Sequence, residues 1–181
     1  ADTVKDDASM TVDGLHRLGI DDVVMLSGDK KETVADYARR LGIKEAYGEL
    51  LPQDKAEYVG RVSSTPGKSI AFVGDGMNDA PVLAISNVGV AMGGLGSDAA
   101  IESADVVIQT DQPSRLLTAI KIGRTTHTIV TENIVGAIAI KVAILILGAA
   151  GYASLWAAVF ADVGVALLAV VNSMRILWKR Y

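Results

Sequence analysis

Two stretches place carboxylates and glycines directly behind apolar runs. Residues 23–26 (VVML) lead into Ser27-Gly28-Asp29, and residues 70–73 (IAFV) lead into Gly74-Asp75-Gly76, followed by Met77-Asn78-Asp79-Ala80-Pro81. Glycines let a backbone come close to an anionic group and turn N–H donors toward it. Carboxylates at strand tips suit a hard cation such as Mg2+, which takes phosphate oxygens and one or two carboxylates. Pro81 fits a first helical turn, so Asp79 is expected at a helix start. A third feature lies far downstream. Lys141 sits in the middle of the apolar run AIAIKVAILIL (137–147), and Asp162 interrupts a second such run. A charge at the centre of a bilayer costs about 2.5–3.5 kcal/mol on insertion scales, so something must offset it.

The elements that would position these groups can be read from periodicity. Apolar runs at 22–29, 69–76, 88–92 and 105–110 predict four buried strands. Between them, Val12, Leu15 and Leu18 mark one helix, and Val34, Tyr37, Ala38 and Leu41 mark another. A third, 53–62, is opened by Pro52. Strands alternating with helices imply an α/β fold with a parallel, doubly wound sheet, whose ligands bind beyond the C-terminal strand ends. Both Gly-Asp tips fall there.

Composition divides the 181 residues into two parts. Residues 1–128 carry 13 Lys/Arg against 19 Asp/Glu, a balance of −6, while the last 53 carry 4 against 2 and are almost wholly apolar. The acidic part argues against nucleic-acid binding. With no cysteine in the chain, disulfides and thiolate metal sites are excluded from it. The N-terminal ADTVKDDA has no apolar signal region.

From Pro113 a helical pattern continues toward two stretches, about 134–153 and 155–177, each long enough to cross a ~30 Å hydrocarbon core. Lys121, Arg124 and His127 flank the first, and Arg175, Lys179 and Arg180 close the second. The tight connection between them has no charge, so the positive-inside rule puts both ends in the cytosol. Lys141 and Asp162 differ in depth by only ~5 Å at ~1.5 Å per residue, so they are expected to pair. Intramembrane charges usually mark a transport path.

The GDGMNDAP segment closely resembles the loop signature of P-type ATPases, in the haloacid-dehalogenase superfamily. MLSGDKKETV is similar to the second superfamily motif, and LLPQDKAEYV to the third. The segment GVAMGGLGSDAAIESADVV resembles the heavy-metal-transporting (type IB) branch. The resemblance implies a haloacid-dehalogenase-like, Rossmann-like phosphorylation-domain segment over 1–112, a cytosolic stalk helix over 113–132 and a transmembrane hairpin over 133–181. It implies that Asp75 binds Mg2+, with Gly74 and Gly76 beside it, that Asn78 contacts phosphate, and that Asp79 orders Lys55. Ser27 and Gly28 would contact the transferred phosphoryl, with Asp29 in the same loop, and Lys55 would neutralise its charge. Such a set fits phosphoryl transfer, which is mostly positioning and charge stabilisation.

The family forms an aspartyl-phosphate on an Asp-Lys-Thr-Gly-Thr segment, and this sequence has none. Asp2-Thr3 has only Ala1 before it and is not expected on a buried strand. ADTVKDDA resembles the hinge that re-enters the phosphorylation domain, with Lys5 where the family often has arginine. The nucleophile, the actuator and nucleotide-binding domains and the other transmembrane helices are therefore expected elsewhere in a longer pump, in a bacterial plasma membrane, using ATP.

In the zinc, cadmium and lead branch, an Asn…Lys pattern precedes Asp-x-Gly. Asn133, Lys141 and Asp162-Val163-Gly164 match it. The resemblance implies Asp162 as a ligand for the transported Zn2+, Cd2+ or Pb2+, and Lys141 as its built-in counter-ion. Two alternatives stand beside this: a P-type pump for copper or potassium, and a non-catalytic, membrane-tethered module of the same fold.

Overall fold

The computed structural model describes residues 7–74, 79–93, 98–152 and 154–179. The chain divides into two compact units, Ala1–Leu117 and Thr118–Tyr181. In the first, the order is α1 (Ala8–Arg17), β1 (Val24–Leu26), α2 (Lys31–Leu41), β2 (Glu45–Tyr47), α3 (Pro52–Ser63), β3 (Ala71–Gly74), α4 (Ala80–Ile85), β4 (Val88–Met92), α5 (Asp98–Ser103) and β5 (Val106–Ile108).

All pairing is parallel, as βαβ crossovers require. The strands form two separate ladders. In one, β1 pairs β2 with Met25 opposite Ala46, and in the other β4 lies between β3 and β5, with Val90 opposite both Val73 and Val106. A single continuous sheet, the sequence expectation, is thus not what the backbone forms. Among the described residues, β1 and β3 each keep one edge without a partner strand. The consequence shows in burial. Strand β4 is buried along 89–92, but β3 alternates between exposed and half-buried, with Val73 at 37% exposure. Reading β1 and β3 as buried strands was therefore wrong: β1 is only half-buried, and Ala71 and Val73 of β3 are exposed.

The core lies between helices and sheet. Val34 on α2, Val59 on α3, and Val82 and Leu83 on α4 are fully buried. Leu83 packs with Ala91 of β4 and with Phe72 and Ala104, while Val90, Met92 and Ile108 form a second cluster against Leu116. Asp105 fastens β4 to β5, its carboxylate accepting from Gly89 N at 2.8 Å. Asp7 accepts from Ser114 N at 2.9 Å, 107 residues away, and anchors the turn that leads into the next helix at Arg115.

Helix α6 (Arg115–Ala149) is one uninterrupted element of 35 residues, about 52 Å long at ~1.5 Å per residue. Helix α7 (Leu155–Trp178) follows after a short turn. Both are long and apolar enough to cross a membrane. Among the described residues of this unit, only Ile129 and Val165 are buried, while Leu145, Phe160 and Leu177 are 71–75% exposed. A water-soluble core would hide such side chains, so these helices require an apolar medium or further helices around them.

Leu83→Ala should cost about 2–5 kcal/mol by opening a cavity between α4 and β4. Chemical denaturation of the detergent-solubilised chain measures it, and a loss below about 1 kcal/mol would remove Leu83 from the core.

Candidate functional site

Strand β1 ends at Leu26, and the next three residues form a compact loop. Ser27 Oγ donates to Asp29 Oδ2 at 3.1 Å, and Asp29 N donates to Ser27 Oγ at 3.2 Å. The segment after β2 holds this loop from behind. Ser27 N donates to Tyr47 O, Glu49 N to Asp29 O, and Leu50 N to Ser27 O, at 2.9, 2.6 and 3.0 Å. Gly48 makes that approach possible. A Cβ there would lie 2.8 Å from Lys31 Cα and 2.9 Å from Asp29 O, both backbone atoms with no freedom to give way. The adjoining Glu49 has φ +59°, a left-handed conformation uncommon for a residue with a side chain. Neither residue stood out in the sequence, because a close approach depends on which backbone arrives opposite.

Helix α3 begins immediately after. Pro52 occupies its first turn, and Asp54 reaches back so that Leu51 N donates to its carboxylate at 2.8 Å. This carboxylate cap fixes where the helix starts and hence where Lys55 stands, one residue further on. Lys55 Nζ donates to Asp79 Oδ1 at 3.0 Å, with both side chains over four-fifths buried (17% and 14% exposed).

Asp79 is the N-cap of α4, as Pro81 foretold, yet it makes no side-chain cap bond. An aspartate there could stabilise the helix by about 1 kcal/mol, but its carboxylate is turned to Lys55 instead. Gly74 leaves room for that turn, since a Cβ at position 74 would lie 2.9 Å from both Asp79 Cβ and Asp79 Oδ2. Of the expected site residues, the structure joins Lys55 to Asp79 and gathers Ser27, Gly28 and Asp29 into one loop tied to the base of α3. Asp75, Gly76 and Asn78 lie outside the described residues, as does the segment 1–6.

The second group of expected residues is in the hairpin. Lys141 Nζ lies 2.9 Å from Asp162 Oδ1, with side chains 60% and 66% exposed. The pair therefore sits on the flank of the hairpin, open on the side that α6 and α7 do not cover. Nearer the open end of the hairpin is a network that the sequence did not reveal. Asn133 Nδ2 donates to Ala169 O and Ser173 Oγ, and Asn172 Nδ2 donates to Glu132 Oε2 and Asn133 Oδ1. Arg175 Nη1 donates to Glu132 Oε2 at 2.8 Å and to Asn172 Oδ1 at 2.7 Å. The polar Asn172-Ser173 step inside an apolar helix was the available signal. Among the described residues, no three His, Cys, Asp or Glu side chains cluster to hold a metal ion by themselves.

Residues 1–87 match the haloacid dehalogenase-like hydrolase family. The chain is 52% identical, over 98% of its length, to the cadmium, zinc and cobalt-transporting ATPase of Bacillus subtilis (strain 168), covering 26% of that protein. It is 50% identical, over 97% of its length, to the zinc-transporting ATPase of Synechocystis sp. (strain ATCC 27184 / PCC 6803 / Kazusa), covering 24% of it. A crystal structure of a zinc-transporting PIB-type ATPase in the E2.Pi state superposes with a TM-score of 0.91 at 36% identity, over 97% of this chain and 28% of that one. The chain belongs to the heavy-metal (type IB) P-type ATPase family. It spans about a quarter of the length of the curated relatives it matches. Within this P-type ATPase chain, the haloacid-dehalogenase-like unit thus carries the Lys55–Asp79 bridge.

A double-mutant cycle with Lys55→Met and Asp79→Asn should give a coupling of about 1–3 kcal/mol in denaturation, as expected for a bridge this shielded. Gly74→Ala should abolish that coupling by displacing the Asp79 carboxylate. Additive single variants would show that the bridge contributes nothing.

Proposed function

We propose that this chain supplies the phosphoryl-handling loops and one transmembrane hairpin of an ATP-driven exporter of divalent heavy-metal ions, Zn2+, Cd2+ or Pb2+. The observation that carries this reading is the Lys141–Asp162 pair at 2.9 Å within two membrane-length helices. A carboxylate oxygen is a suitable ligand for Zn2+, and the open flank of the pair leaves space for ligands from other helices. The ammonium of Lys141 neutralises Asp162 when no ion is bound, and it repels the ion once bound. That keeps affinity moderate, as a site that must release its cargo requires.

On the soluble side, Ser27 and the Gly28 backbone contact the transferred phosphoryl, Asn78 contacts its oxygens, and Lys55 neutralises its charge. Asp79 holds the ammonium of Lys55 in place. Mg2+ fits the donor chemistry: β3 ends at Gly74, directly before the Asp75 carboxylate, and the β1 loop offers the exposed oxygens of Ser27 and Asp29. Bound there, Mg2+ would supply charge neutralisation on the phosphate oxygens. The reacting aspartate comes from elsewhere in the pump. The edges of β1 and β3 without a partner strand among the described residues fit a further parallel strand between them, which would bring that aspartate to the tips where Ser27 and Gly74 lie. On this reading the phosphoryl-handling groups and both ends of the hairpin lie in the cytosol, which the flanking basic residues support.

The test is metal-stimulated ATP hydrolysis by the full-length pump, with Zn2+, Cd2+, Pb2+, Cu+ and Co2+ offered separately. Zn2+, Cd2+ and Pb2+ should stimulate, and Asp162→Ala should return the rate to its unstimulated level. Stimulation by Cu+ alone, or an Asp162→Ala pump that responds as wild type, would refute the assignment.

A further inference from the structure

The network at the open end of the hairpin is fully connected. Both Asn133 N–H donors are used, toward Ala169 O at 3.3 Å and Ser173 Oγ at 3.1 Å, and its carbonyl accepts from Asn172 at 2.9 Å. Asn172 gives its other N–H to Glu132 at 3.1 Å and accepts from Arg175. Two consecutive residues of α6 thus engage Ala169, Asn172, Ser173 and Arg175 of α7 through short, directional bonds. A slip of one helical turn, about 5.4 Å, would break every one of them. Asn133 and Asn172 are half-buried in the seam, and asparagines at a helix–helix seam can fix register in this way.

The Lys141–Asp162 pair cannot do the same. Lysine carries a charge on a flexible four-carbon stem, so its ammonium can follow the carboxylate through several ångströms of sliding. A metal ion cannot: a Zn–O bond is about 2.0–2.2 Å, and a site must hold its ligands to within about 0.2 Å. Whatever sets the depth of Asp162 relative to α6 must be stiffer than the ion pair itself. The polar network, nine residues or ~13 Å along α6 from Lys141, has that stiffness. Ile129 and Val165, the buried apolar residues of this unit, lie a turn to either side of it in the seam.

We infer that Glu132, Asn133, Asn172, Ser173 and Arg175 form a register clasp, a set of positioning residues that fix the depth of Asp162 and thereby set the metal affinity of the transport site. The inference rests on the transport reading above. Its test uses the full-length pump with Zn2+ as probe and three variants: Asn172→Leu, Glu132→Arg, and Glu132→Arg combined with Arg175→Glu. Each single variant should raise the Zn2+ concentration for half-maximal ATPase stimulation by roughly three- to twenty-fold, the range carried by interhelical hydrogen bonds. The maximal rate per phosphorylated pump should hold. The charge swap should bring half-stimulation part-way back toward the wild-type concentration, because it remakes the 132–175 ion pair while turning the Asn172 amide to suit it gives up the bond to Asn133.

A merely structural role would lower yield or melting temperature and leave the half-stimulating Zn2+ concentration unmoved, and that result overturns the clasp. So does a swap no better than Glu132→Arg alone, which decides the matter even if Asn172→Leu does not fold. Asp162→Ala is run alongside. If it abolishes stimulation while the clasp variants behave as wild type, only the clasp is wrong; if it has no effect, the transport reading and the clasp fall together.

Discussion

The ion pair between Lys55 and Asp79 is the contact on which the soluble half turns. It joins groups 24 residues apart, one on the helix that follows the first ladder and one at the tip of the second. No backbone ladder connects these two sheets among the described residues, so side chains and helices must hold their tips in one place. Much of the local architecture serves that need. Pro52 and Asp54 fix where α3 starts, Gly74 clears the space for the carboxylate, and Asp79 gives up its capping bond. A charge pair this shielded from water is also sensitive to its surroundings: removing one partner would leave the other desolvated and uncompensated.

The hairpin obeys a different constraint. Its backbone is satisfied internally, as any lipid-facing segment must be, so its polar side chains are free to be used elsewhere. They form two charge pairs of opposite polarity, Lys141 on α6 with Asp162 on α7, and Glu132 on α6 with Arg175 on α7. Their environments differ. Amides and a hydroxyl surround the second pair, while the first stands without such a frame on a flank that is mostly open.

Legibility in the sequence followed the range of the forces involved. Strand β4 was readable because an unbroken apolar run is buried from Gly89 to Met92, and α3 and α4 because Pro52 and Pro81 mark first turns by local geometry. Strand β2 was missed because it has three residues, two of them exposed, and no apolar run to betray it. The break between the ladders was invisible for the complementary reason, since apolar runs record strands and not their neighbours. In the candidate site, residue types and spacing singled out Asp79 and the Ser27–Asp29 loop, while Lys55 came only from the family resemblance. Gly48, Glu49 and Asn172 act through partners whose arrival only the folded backbone reveals; for Asn172 these lie 39 and 40 positions away.

The edges of β1 and β3 that have no partner strand among the described residues carry a further consequence. A row of unpaired N–H and C=O groups accepts any extended segment, so such edges promote sheet-to-sheet aggregation unless covered. A separate peptide able to form a further strand could dock there by β-augmentation, as in donor-strand complementation.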